Sequence, residues 1–108
     1  MQTIVVLNQD QMGQGDRALG QKILATFLRK AIALPEFEAI VLYNSGVRLV
    51  AADSPVLAEL RELEGRGVDL VPCSTCLQNF GITPAVGKAS DMDTIVAELG
   101  RAAKVITL

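Results

Sequence analysis

The chain has 108 residues, which suffices for one domain with a single core. Half of the residues are apolar, a fifth are charged and the formal net charge is −2, so neither nucleic acid nor an anionic membrane surface is expected as a main partner. No apolar run nears the roughly 18 residues of a membrane span, and no charged n-region precedes the first apolar stretch, so a cytoplasmic protein is expected.

Thr3-Ile4-Val5-Val6-Leu7 is a continuous β-branched run and reads as a fully buried strand. The glycine-bearing loop Asn8 to Asp16 follows. From Arg17, apolar residues at Leu19, Ile23, Phe27 and Ala31, flanked by Leu24, Leu28 and Ile32, recur at helical spacing; Asp16 is the expected N-cap and Pro35 the stop. Ala39 to Tyr43 is a second buried strand, closed by the turn Asn44-Ser45-Gly46. Val47 to Ala51 fits a short strand or a packed loop equally well. Ser54-Pro55 predicts the start of a second helix, with Val56, Leu57, Leu60 and Leu63 inward and Gly67 as its C-terminal cap.

Val68 to Val71 is the third strand, and it delivers Pro72, Cys73 and Cys76 into a short helix ending at Gly81. A short strand is expected around Ala85 to Gly87. Ser90 and Asp93 fit a capping box for a helix facing inward through Ile95, Val96 and Leu99, and Lys104 to Leu108 form the last strand. Five alternations of strand and helix predict an α/β domain: a five-stranded, mainly parallel sheet with helices on both faces. Half the chain being apolar is high for this size, so some apolar surface is expected to lie between subunits.

Ligands of open α/β sheets gather beyond the carboxyl ends of the strands. That edge collects the loop Asn8–Asp16, the turn at Asn44, the cysteine segment and Lys88–Asp91. With no histidine or tryptophan and one tyrosine in the chain, Cys73 and Cys76 are its most reactive candidates. A thiol at a helix start is expected to have its pKa lowered toward neutrality. Buried packing thiols are the plain alternative. Two thiols without histidine fall short of the four ligands of structural zinc, so neither metal nor cofactor is expected in one chain. Met12 and Gly13 line the mouth of the thiol pocket or belong to a simple turn. Asn44, Ser45 and Gly46 bind a small polar or anionic ligand or are likewise only a turn. Lys88 is a candidate to stabilise a sulfur anion, and Ser74 and Thr75, between the thiols, complete the substrate-binding set.

Taken together, MGQGDRALGQKIL (Met12–Leu24), YNSGVRL (Tyr43–Leu49), SPVLAELRELEGRGV (Ser54–Val68), CSTCLQNFGI (Cys73–Ile82) and VGKASDMDTIVAEL (Val86–Leu99) resemble the DsrE/DsrF-like sulfur-relay family. The resemblance is strongest to the C-terminal domain of YedF-type, sulfurtransferase-like selenium-metabolism proteins. Serine replaces their usual glycine after the first cysteine. The resemblance implies a three-layer α/β/α fold and assembly into trimers or hexamers. It also implies sulfur donor and acceptor partners, among them a TusA-like carrier, which YedF-type proteins hold as an N-terminal domain. Relatives carry sulfur as a persulfide on a cysteine eight residues before the glycine that closes the segment, which is Cys73 here. Cys76 would then attack that persulfide or leave it for an acceptor. A CxxC thiol–disulfide protein and a non-catalytic binding or assembly module remain the alternatives.

Overall fold

The computed structural model describes residues 2–108. Four strands form one sheet: β1 (Thr3–Leu7), β2 (Phe37–Leu42), β3 (Asp69–Pro72) and β4 (Lys104–Thr107). Their order is β3-β2-β1-β4 and every pairing is parallel. Helices α1 (Arg17–Lys30), α2 (Leu57–Gly65), α3 (Ser74–Phe80) and α4 (Met92–Arg101) make the connections.

Strand alternation divides the core in two. Val5, Leu7, Ile40 and Leu42 face Leu24 and Leu28 of α1, Leu60 and Leu63 of α2, and Leu77 of α3. Ile4, Val6, Ala39, Val41, Val71 and Cys73 form a smaller cluster with Ile95 of α4. The chain crosses from the β3 edge to the far side of β1 through α4, which places that helix on the face opposite α1 and α2. A single helix thus covers the second face, and Met92, Val96 and Val105 stay 50, 60 and 44 % exposed. Among the described residues no helix is long and apolar enough to cross a membrane.

The sheet has four strands rather than the expected five. Gly87 turns at φ +77° with its N–H on the Glu64 carboxylate, and the Ala85 N–H is drawn to Val50 O, so Ala85–Gly87 is bent rather than extended. The next residues accompany β3 instead, Lys88 N–H bonding Leu70 O and Ser90 N–H bonding Pro72 O.

Asp16 caps α1 as expected, its carboxylate accepting from Leu19 N–H at 2.7 Å. That helix gives way after Lys30 to a 3-10 turn, Ala31–Ala33, just short of Pro35, and Leu19 and Ile23 of the predicted stripe are exposed. The Ser54 hydroxyl caps a turn, taking the Val56 N–H, and α2 starts at Leu57. Asp91 rather than Ser90 caps α4, because the backbone of Ser90 is committed to β3 and the start of α3. Val47–Ala51 is neither strand nor open loop: Asn44–Val50 is a 3-10 segment whose Val47, Leu49 and Val50 are buried.

Candidate functional site

Two strand ends build the site. β2 ends in the 3-10 segment that starts at Asn44, and β3 ends at Pro72, where the Cys73 N–H bonds Leu42 O at 2.9 Å. Cys73 occupies the N-cap position of α3, and its carbonyl accepts from Leu77 N–H. Gly81, at φ +64°, closes that helix in the left-handed conformation that glycine adopts without cost.

Both thiols are free, and they differ in exposure. Cys73 is 1 % exposed, packed among Ile4, Val41, Val71 and Ile95. Cys76 sits one helical turn on, half-buried, and opens into a cavity of about 200 Å³ lined by Asn44, Thr75, Asn79 and Phe80. The Asn44 backbone N–H points at it, 3.1 Å from Sγ. Burial pushes the Cys76 thiol up from the ordinary range; the Asn44 N–H works against that, and the neighbouring Cys73 thiol adds to it. The lowered pKa expected from the helix start is therefore not what this thiol has.

Asn44 owes its place to backbone geometry. It takes φ +52°, a region asparagine tolerates better than most residues. Two residues on, Gly46 lies so close to the end of β1 that a Cβ would come within 2.1 Å of Leu7 O. Glycine is needed there for close approach, whether or not the turn meets a ligand.

The other predicted residues divide. Thr75 lines the thiol cavity, whereas Ser74 faces a separate hollow with Leu77, Gln78 and Pro84. Ser45 is half-buried beside Asn44. Met12 packs against the larger core cluster and Gly13 is exposed at φ +85°, both outside the residues lining the thiol cavity. Lys88 runs along the β3 edge in a hollow with Glu64 and Glu98 and does not line that cavity either.

Sequence reasoning missed the neighbouring cavity of about 390 Å³, whose walls include Asp10, Arg17, Arg48, Ser54 and Phe80. Arg17 grips buried Asp10 through its two terminal guanidinium nitrogens, at 2.9 and 2.7 Å, and this holds the carboxyl below the usual carboxylate range. Phe80 borders both cavities. It lies four residues after Cys76, a helical spacing that puts the two on one face and that the sequence already displayed. Among the described residues no group of three or more Cys, Asp or Glu is arranged to hold a metal ion.

Similar folds exist among solved structures. MTH1491 from Methanobacterium thermoautotrophicum, a protein of unknown function, superposes with a TM-score of 0.73 at 22 % identity, over 99 % of this chain and 98 % of that one. The ychN protein from E. coli superposes at 0.71 with 19 % identity over the whole of both chains. BT1422 from Bacteroides thetaiotaomicron, a conserved protein of unknown function, gives 0.68 at 21 % identity, over 98 % of this chain and 94 % of that one. No curated protein matches. The sequence model of the DsrE/DsrF-like family matches residues 3–108, and the chain belongs to that family.

Proposed function

We propose that the chain is a sulfur-relay protein: the Cys73–Cys76 pair takes a sulfane sulfur, or its selenium counterpart, from a donor, holds it as a persulfide on Cys73 and yields it to an acceptor thiol. The observation that carries this reading is a pair of free, adjacent thiols at the carboxyl edge of a parallel sheet, with a backbone N–H 3.1 Å from the more exposed sulfur. Such a donor favours a sulfur anion, whether thiolate or persulfide, without a charged side chain. Membership of the DsrE/DsrF-like family supports a relay role in general.

The cavity supports a particular mode of delivery. At about 200 Å³ it is smaller than the ~300 Å³ at which small-molecule sites begin, and it suits the tip of a thiol-bearing side chain. Donor and acceptor are then proteins that present a sulfur, a TusA-like carrier among the candidates. The exposed Met92, Val96 and Val105 on the thinly covered face support assembly with further copies.

Intact mass spectrometry of the reduced protein, before and after incubation with glutathione persulfide, tests the reading. Gain of one sulfur atom, lost in the Cys73→Ser/Cys76→Ser double variant, is the expected result. Loss of two hydrogens instead would make the pair a disulfide switch, which the adjacency of the thiols also allows. An unchanged mass would overturn both.

A further inference from the structure

We infer that the two thiols act in series, Cys76 exchanging sulfur with outside proteins and Cys73 storing it behind. The inference rests on the relay reading and concerns the order of transfer within the pair. The family resemblance implies Cys73 as the thiol that takes up the sulfur. Its surroundings argue otherwise: 1 % exposed, it lies among Ile4, Val41, Val71 and Ile95 from three strands and α4.

The backbone around Cys73 is also fixed on both sides. Its N–H bonds Leu42 O, its carbonyl takes the Leu77 N–H, and the adjoining Ser74 N–H bonds Ser90 O at 2.8 Å. A donor reaching Cys73 directly would have to open the joint between β2, β3 and α3. Cys76 needs no such opening. It borders the 200 Å³ cavity, and it packs against both core clusters, spanning the distance from that cavity to the layer that holds Cys73.

The chemistry balances without an oxidant. The Cys76 thiolate attacks the outer sulfur of a donor persulfide; an S–S bond forms at Cys76, the donor S–S bond breaks and the donor leaves as a thiolate. The Cys73 thiolate then attacks the outer sulfur on Cys76. A new S–S bond forms at Cys73, the bond to Cys76 breaks, and Cys76 departs as a thiolate facing the Asn44 N–H. The proton given up by Cys73 is taken up by Cys76, so the pair ends with one thiol and one persulfide. Release runs the same steps backwards. The stored sulfur rests in an apolar cluster, away from water and small thiols.

Loading of the full chain with glutathione persulfide, followed by a challenge with glutathione, separates the roles. In the wild type, tandem mass spectrometry should find the sulfur on Cys73. Cys76→Ser should load about tenfold more slowly in native buffer and recover in urea, where Cys73 is uncovered. Cys73→Ser should carry its sulfur on Cys76 and lose it to glutathione about tenfold faster than wild type. Cys73→Ala repeats the test with no hydroxyl placed in the apolar cluster. Native loading of Cys76→Ser at the wild-type rate would overturn the series order while leaving the relay intact. A wild type that gains no sulfur would overturn the relay reading and the order with it.

Discussion

The guanidinium of Arg48 lies over the ring of Phe80, 4.7 Å from its centroid. Arg48 follows Asn44 by four residues in the 3-10 segment, and Phe80 follows Cys76 by four in α3. The stack therefore clamps together the two segments that supply the N–H and the sulfur of the Asn44–Cys76 hydrogen bond. Arg48→Ala should cost about 0.5–1 kcal/mol, the usual worth of an exposed cation–π contact. It should also speed amide exchange at Asn44. Exchange at Asn44 unchanged from wild type would mean that the hydrogen bond holds without the clamp.

Gly46→Ala should destabilise the fold by roughly 1–3 kcal/mol, because the new methyl meets the Leu7 carbonyl and the end of β1 must move. Urea denaturation followed by circular dichroism measures this. A variant as stable as wild type would show that the turn can withdraw from β1.

Asn44→Gly keeps both the backbone N–H and access to positive φ, so alkylation of Cys76 should stay within about twofold of wild type. Asn44→Ala keeps the N–H but strains the backbone at φ +52°, at a cost of about 1 kcal/mol. A marked fall in Cys76 reactivity in the glycine variant would show that the Asn44 side chain, and not only its backbone N–H, acts on the thiol.

The raised pKa of Cys76 sets a pH dependence. A thiol pushed up holds less thiolate at neutral pH than an unperturbed cysteine does. Its alkylation should therefore be slower than that of a free cysteine at pH 7 and climb about tenfold per pH unit, levelling off only above the ordinary thiol range. Iodoacetamide kinetics on the Cys73→Ser variant, from pH 6 to pH 10, check this. A plateau near neutrality would indicate a lowered pKa instead.

The strands β1, β2 and β3, the start of α1 and the cysteine segment were legible because each is a local pattern: a β-branched run, a capping carboxylate three residues before the N–H it accepts, a proline leading into CxxC. That the Asn44 turn and the thiols share one edge followed from alternation, since parallel strands end on the same side; the contact of Asn44 with Cys76 did not, because it needs β2 and β3 to be neighbours. The relative burial of the two thiols was not legible. It depends on Ile95, which arrives from α4 on the far face. The fifth strand failed for a similar reason, because the Glu64 carboxylate and Val50 carbonyl that bend Ala85–Gly87 come from distant segments. Lys88 was placed at the thiols by assuming that strand, and without it Lys88 follows β3.

The all-parallel order β3-β2-β1-β4 also has a kinetic consequence. No two strands of the sheet can meet through a hairpin: Val5 pairs with Ile40, 35 residues on, Ile40 with Leu70, 30 residues on, and Val5 with Ile106, 101 residues on. Each pairing must close a long loop before it gains a single contact, and the β1–β4 closure is the longest. Folding should accordingly fall toward the slow, millisecond-to-second end of the range for small domains. In pulse-labelling exchange, the amides of β1, β2 and β3 should gain protection first and those of β4 last. A chain paused at that point would already have Cys73 just past the end of β3 and Cys76 in α3, while the face that buries Cys73 still lacked α4.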